Sequence, residues 1–302
     1  MRLANDRLRV ITTSACNLDC FYCHNEGQLK GSAFMPWGLF DAVMTAAGEA
    51  ERVDEVTFSG GEPLMHPQIV SMVDRAKALA PRRTLVTNGT LLTENLAAHL
   101  YAAGLSRIRL GVDSLRPLKP RPSKGFLSSP LAVDAVIEML ARIGLEVDLN
   151  VVITRFNARE LGDIASLAID KNLNVKFFEH VDVTRFGHDG SLGIYGARPQ
   201  VPFDQVFDAL ARQVGLEELA PSADFGDANL SGRVRSTEIR YCRYLCPFRQ
   251  CWRTGTRVDA EGYVYTCMSG RGAVQIQAPW NASSVMAALS RASDAAGCPI
   301  PT

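Results

Sequence analysis

Six short apolar runs alternating with helical patterns between Leu8 and Asp182 constrain the fold of this chain more than any other feature. The runs cover 8–13, 55–59, 84–87, 107–112, 146–153 and 175–179. Ile69, Val70, Met72, Val73 and Ala76 repeat at the i, i+3, i+4 spacing of a helix face. Thr93 ahead of Glu94, Leu96 and Leu100 reads as an N-cap, with Gly104 as the stop. Leu131, Val133, Val136, Ile137 and Leu140, stopped by Gly144, predict another helix, and Leu161, Ile164, Leu167 and Ala168, stopped near Asn172, a further one. Such alternation implies parallel strands joined by right-handed crossovers, with helices packed outside. The fold class is α/β with a parallel sheet.

Beyond Asp182 the rhythm changes. Residues 184–200 are rich in glycine and read as a long loop. Phe203, Val206, Phe207, Leu210 and Val214 form one amphipathic helix, and 220–232 reads as loop again. A soft boundary near Thr184 divides the chain into 1–183 and 184–302, the second part folding back over the open end of the first. The length of 302 residues suits one large domain with an appendage.

Composition excludes several classes of partner. Thirty-two basic residues balance thirty-two acidic ones, so no global field favours nucleic acid or an anionic membrane. Neither a secretory signal nor a membrane-spanning stretch is visible, which points to a cytoplasmic protein. In a reducing compartment the eight cysteines are poor candidates for a disulfide framework. Seven fall into two clusters, as metal ligands do, and Cys298 stands alone as an incidental thiol.

The first cluster is Cys16, Cys20 and Cys23, directly after the first apolar run. A loop this short can bring three thiolates to three corners of one iron–sulfur cube. An ordinary [4Fe–4S] cluster takes four cysteines, so three leave one iron open to a non-protein ligand. A zinc site with His24 as fourth ligand, or buried structural thiols, are the plainer readings. Ser59-Gly-Gly-Glu-Pro63 follows the second run at its carboxyl end, where sites of parallel α/β folds collect. Its glycines allow close approach of a ligand, and Glu62 adds an acceptor; the plainer reading is a strand-to-helix turn. Thr87-Asn88-Gly89 holds the same position after the third run, and Asp113 and Ser114 after the fourth.

With Tyr22 before its last cysteine, the loop resembles the signature of the radical S-adenosylmethionine (SAM) superfamily. That resemblance implies a partial (β/α)6 barrel. It also implies a [4Fe–4S] cluster on Cys16, Cys20 and Cys23 whose open iron is chelated by SAM. Reduced by a flavodoxin- or ferredoxin-type donor, the cluster would cleave SAM to a 5′-deoxyadenosyl radical. Gly60, Gly61 and Glu62 would hold the SAM amino group, and Thr87 and Asn88 the ribose and carboxylate. Asp113 and Ser114 would occupy the next contact position. Close relatives carry Ser-Leu-Asp-Ser there, and Gly111 and Val112 replace its first two residues. Val181 and Tyr22 would pack on the adenine.

The second cluster is Cys242, Cys246, Cys251 and Cys267, with 259–262 as a turn between two short strands before the last cysteine. It resembles the auxiliary-cluster modules of the superfamily, the SPASM and twitch domains, and implies one auxiliary [4Fe–4S] cluster. Four thiolates suit Zn²⁺ equally well on geometry. Over most of the chain the sequence is similar to the GTP 3′,8-cyclase family, through Leu85-Val-Thr-Asn-Gly-Thr90, Asn150-Val-Val-Ile153, Phe178-Glu-His-Val-Asp182 and Arg257-Val-Asp-Ala-Glu-Gly262. It departs in having four auxiliary cysteines rather than three. Of two phosphate-binding arginines only Arg257 is kept, with Gly255 in place of the other, and the functional Gly-Gly tail is replaced by Cys298-Pro-Ile-Pro-Thr302. These departures predict a relative with another substrate, a nucleotide, nucleoside or sugar-like small molecule that undergoes cyclisation or redox tailoring. The alternatives are a ribosomal-peptide-modifying enzyme, which often carries a recognition domain for which 15 preceding residues leave no room, and a non-catalytic metal-binding interaction module.

Overall fold

The computed structural model describes residues 3–23, 25–28, 31–116, 132–180, 200–243, 251–268, 270 and 272–294. Strands β1 (Arg7–Thr13), β2 (Glu55–Gly60), β3 (Arg82–Thr87), β4 (Arg107–Gly111), β5 (Glu146–Ile153) and β6 (Asn174–Glu179) lie side by side in chain order, all parallel. Helices α1 (Trp37–Ala47), α2 (Ile69–Ala76), α3 (Glu94–Ala102), α4 (Val133–Ile143) and α5 (Leu161–Asp170) form the crossovers. The repeat in the sequence marks all of these except α1. As expected, the Thr93 hydroxyl caps α3 by accepting from Leu96 N at 3.2 Å.

Each strand alternates between two environments. Leu8, Val10, Val56, Phe58, Leu85, Ile108, Leu149 and Phe177 are fully buried in the hydrophobic core, on the helix side of the sheet. Burying each such side chain contributes about 1.5–3 kcal/mol. The intervening residues point the other way and are mostly polar: Arg7 and Arg9, Glu55 and Thr57, Arg107 and Arg109, Asp148 and Asn150, Lys176. The curved sheet does not close, giving a partial barrel with a charged lumen.

Residues after 200 extend this same sheet at both edges. Strand β7 (Ala220–Ser222), β8 (Gly226–Val234) and β9 (Thr237–Cys242) form an antiparallel meander whose β9 runs parallel to β6. On the opposite edge β10 (Thr256–Val258) runs parallel to β1 and turns into β11 (Tyr263–Tyr265) and β12 (Val274–Gln275). Helix α6 (Phe203–Val214) packs on α5, and α7 (Ala282–Asp294) on α1. Two expectations change. The stretch 220–232 is a strand pair rather than a loop, because its backbone pairs with the distant β9 and its side chains carry little apolar periodicity of their own. The second part also adds strands to the barrel edges rather than simply covering its end. The expected loop 184–199, the boundary near Thr184, Leu131 and Cys298 lie outside the described residues.

Candidate active site

The turns that follow β1, β2 and β3 are bound to one another by backbone and carboxylate hydrogen bonds. Gly61 N donates to Thr13 O and Glu62 N to Ala15 O, both at 2.8 Å. A Cβ on Gly60 would lie 2.4 Å from Thr13 O, and one on Gly61 2.1 Å from Ala15 O. Both glycines are therefore required by the approach of the cysteine loop itself, a role that ligand access alone does not reveal. Glu62 is fully buried. Its Oε1 accepts from Leu64 N at 2.9 Å and Thr87 Oγ1 at 2.7 Å, and its Oε2 from Asn88 N at 2.8 Å. The carboxylate expected to meet a ligand ammonium also joins the second turn to the third. Burial pushes its pKa up against these three bonds. Asn88 Nδ2 donates to Asn17 Oδ1 at 3.0 Å, and Asn17 Nδ2 to Thr90 Oγ1 at 2.7 Å, so the third turn also grips the cysteine loop between Cys16 and Cys20.

Within that loop, Leu18 N donates to Cys16 Sγ at 3.4 Å and Asn25 N to Cys23 Sγ at 3.3 Å. Backbone amides thus hold two of the three sulfurs in place. Cys20 is pushed up to about 12 by burial, with Asp113, Cys23 and Cys16 adding to the shift and a Tyr22 hydrogen bond opposing it. A buried thiol set against two neighbouring thiols and a carboxylate is a donor that a bound cation would relieve. Among the described residues no three His, Cys, Asp or Glu side chains converge on one shared ion. A cube held at three corners asks instead for sulfurs that each meet a separate iron. The donor set fits such a cluster.

Tyr22 Oη donates to Asp113 Oδ2, and Val152 N donates to Asp113 Oδ1 at 2.9 Å. Burial raises Asp113 to about 6 against both bonds. The Tyr22 ring meets Phe21 at 5.3 Å and His180 at 6.1 Å between centroids, and Phe21 also meets Phe156 at 5.8 Å. Tyr22 and Asp113 are thus brought together at the mouth of the lumen. Ser114 is not: its hydroxyl donates to Glu160 Oε2 at 2.7 Å, away from the cysteines. Val181 and His24 lie outside the described residues.

Arg257, expected to meet substrate phosphates, is 1% exposed. It ion-pairs with Glu26 Oε2 at 3.6 Å and donates to Gly255 O and Thr266 O at 3.4 and 3.3 Å. Glu26, three residues after Cys23, also takes Arg9 at 2.6 Å and the Ser59 hydroxyl at 2.8 Å on Oε1. Its carbonyl accepts from Tyr265 Oη at 3.1 Å. A Cβ on the next residue, Gly27, would lie 2.6 Å from Met268 O. The segment leaving the first cysteine loop is therefore clamped to the segment carrying Cys267. Sequence reading missed Arg9, Glu26, Glu55, Arg109, Asp148 and Lys176, although for all but Glu26 the alternation of charged with apolar residues in β1, β2, β4, β5 and β6 is the signal.

Of the second cysteine set, Cys242 ends β9 and Cys267 follows β11, and both are buried. Cys242 is pushed up to about 11 by burial, with Lys176 and Arg240 opposing. Cys246 and the side chain of Cys251 lie outside the described residues. The β10–β11 hairpin has the expected turn, in which Asp259 Oδ1 accepts from Tyr263 N at 2.9 Å. None of the helices among the described residues is long and apolar enough to cross a membrane.

Comparison with known proteins shows the family. Residues 10–168 match the radical SAM superfamily model. A probable GTP 3′,8-cyclase from Pyrococcus abyssi is 29% identical over 266 residues, covering 87% of this chain and 85% of that protein. The GTP 3′,8-cyclase of Geobacter sulfurreducens is 30% identical over 277 residues, covering 86% and 79%. Among solved structures, SAM-bound anSMEcpe superposes with a TM-score of 0.59 at 19% identity, covering 87% of this chain and 74% of that one. SAM-bound SuiB of Streptococcus suis gives 0.60 at 14% identity, and this chain spans 60% of its length. With its cysteine loop locked against the Gly-Gly turn at the mouth of a partial barrel, the chain belongs to the radical SAM superfamily of enzymes and is a homologue of the GTP 3′,8-cyclases.

Proposed function

We propose that this enzyme abstracts hydrogen from a nucleotide, nucleoside or sugar-like small molecule held in the barrel lumen, as one step of a cyclisation or redox tailoring reaction. The observation that carries this reading is the mutual locking of the cysteine loop, the Gly-Gly turn and the Thr87-Asn88 turn directly above a polar lumen. Cys16, Cys20 and Cys23 would hold the [4Fe–4S] cluster. Thr87, Asn88 and the backbone of Gly60–Glu62 would shape the SAM site, with Tyr22, Asp113 and Val181 along its rim. When bound, the reduced cluster and SAM supply a 5′-deoxyadenosyl radical. The chain's own part is to orient SAM, exclude water and competing hydrogen donors, and hold the substrate carbon beneath.

Cys242, Cys246, Cys251 and Cys267 would hold an auxiliary [4Fe–4S] cluster, and a cytoplasmic flavodoxin or ferredoxin would deliver the electron. The resemblance of this cysteine pattern to auxiliary-cluster modules supports that part. Anaerobic reduction of reconstituted protein with SAM, followed by chromatography for 5′-deoxyadenosine, tests the central proposal. Release that depends on Cys16, Cys20 and Cys23 is the expected result. A protein that binds iron yet releases no 5′-deoxyadenosine under any reductant would be a metal-binding module and not this enzyme.

A further inference from the structure

The lumen face is lined with cations, and its arginines are answered within the chain. Arg109 and Arg7 reach Glu55 at 2.9 and 3.8 Å, Arg107 reaches Glu146 at 2.5 Å, and Arg240 reaches Glu238 at 2.8 Å. Arg9 and Arg257 share Glu26. Asp148 adds a further carboxylate 3.4 Å from Arg107 and 3.9 Å from Arg109. Lys176 is different. Among the described residues its ammonium has no carboxylate within 4.0 Å and no hydrogen bond. The charges that act on it are those of Arg109, Asp148, Cys242 and Arg240.

Asn150 stands in register with Lys176 on the neighbouring strand, and its Oδ1 is buried without a hydrogen-bond partner among the described residues. Gly111 stands in register with Asn150 on the other side, where a Cβ would meet nothing nearer than 3.6 Å. This row of three, its third member without a side chain, therefore sets an ammonium beside an amide oxygen, neither of them satisfied among the described residues. Buried amide oxygens are seldom left without a donor, and a half-buried ammonium with no carboxylate in reach is open to an anion. The missing partners are a hydrogen-bond donor and an oxyanion.

We propose that Lys176 and Asn150 form the substrate-recognition subsite of this lumen, taking one oxyanion on Lys176 and a neighbouring hydroxyl or amine on Asn150 Oδ1. The substrate then carries a single anionic group, a phosphate monoester or a carboxylate beside hydroxyls, and not a triphosphate, because the arginines that would neutralise further charge already face carboxylates. This inference rests on the lumen being the substrate chamber.

The test uses the reconstituted enzyme saturated with SAM, so that the SAM site is filled. Inorganic phosphate, acetate, tripolyphosphate and ribose 5-phosphate are titrated by calorimetry. One site of about millimolar affinity for phosphate or acetate is expected, the better of the two identifying the oxyanion. Lys176→Met should weaken it about tenfold or more, and Lys176→Arg should restore most of it. Asn150→Ala should weaken ribose 5-phosphate while leaving inorganic phosphate unchanged. Tripolyphosphate should bind within about threefold of phosphate. The inference is overturned by tripolyphosphate binding tenfold or more tightly than phosphate, by unchanged anion affinity in Lys176→Met, or by no anion binding up to about 50 mM. The wild-type ratio of tripolyphosphate to phosphate decides the matter even if a variant fails to fold. Release of 5′-deoxyadenosine is read separately, so failure of the enzymatic reading and failure of this subsite give different results.

Discussion

Glu62 illustrates how a single buried side chain can tie together the turns around a candidate ligand site. Three hydrogen bonds converge on a carboxylate with no exposed surface. Glu62→Ala leaves Leu64 N and Asn88 N without an acceptor, a loss of about 1–3 kcal/mol for each buried donor. We expect the variant to unfold at lower denaturant concentration and to bind SAM at least about tenfold more weakly, because the third turn drifts from the cysteine loop. Weak SAM binding with unchanged stability would instead mark Glu62 as a direct ligand group. Gly61→Ala probes the same junction from the backbone, since its Cβ would sit 2.1 Å from Ala15 O. The cysteine loop must then move, and metal analysis should show iron lost from the site of Cys16, Cys20 and Cys23. The cysteine spacing and the Gly-Gly-Glu run were legible in the sequence because short loops carry their chemistry locally. What Glu62 actually binds was not, because its partners Thr87 and Asn88 lie on another strand.

At the scale of elements, the strands carry two messages in alternate residues. The apolar set announced the parallel sheet, and the charged set, read off the same runs, describes the lumen. Glu55 anchors that inner face. Burial would raise it, but Arg109, Thr84, Arg7 and Thr57 together overcome burial and hold it at about 2, below its ordinary 4.5. A depressed carboxylate contributes stability that is fully present above the unfolded value and is lost as pH falls from 4.5 towards 2. The contribution near neutrality is about 3 kcal/mol. The stability gap between wild type and Glu55→Gln, measured by urea unfolding, should therefore narrow steadily as pH drops below 4.5. A gap independent of pH would show that the Glu55 charge plays no part. Elements with non-local pairing were the hard ones to read. Strands β7 and β8 owe their form to β9, and no periodicity within 220–232 signals it. The α1 helix was passed over between the cysteine loop and β2, whereas the β10–β11 hairpin, held by its own Asp259 turn, was visible in the sequence.

For the whole molecule, the two described cysteines of the second set, Cys242 and Cys267, come from opposite edges of one sheet. Cys242 ends β9, beyond β6, and Cys267 follows β11, beyond β1. The edges nevertheless meet: Met268 packs against Phe225 and Ala228, and Arg253 Nη1 donates to Asp224 O. Few apolar side chains hold this seam, while the core between strands and helices is continuous. A metal centre on Cys242 and Cys267 would therefore act as a staple across the barrel opening, adding to folding stability whatever its redox role. The consequence is local. Removing metal from the second site with a chelator, or by Cys267→Ala, should accelerate amide hydrogen exchange in β8, β9, β10 and β11 and leave β2 to β5 protected. Because Glu26 and Gly27 clamp the first cysteine loop to the Met268 segment, the same loss should also loosen residues 25–28. Iron analysis alongside distinguishes the metals: about eight irons per chain mark two four-iron clusters, and about four irons with one zinc mark a structural second site. Either metal can staple the seam, so unchanged exchange in β8 to β11 after its removal would refute the staple itself and leave the second cysteine set with a purely chemical role.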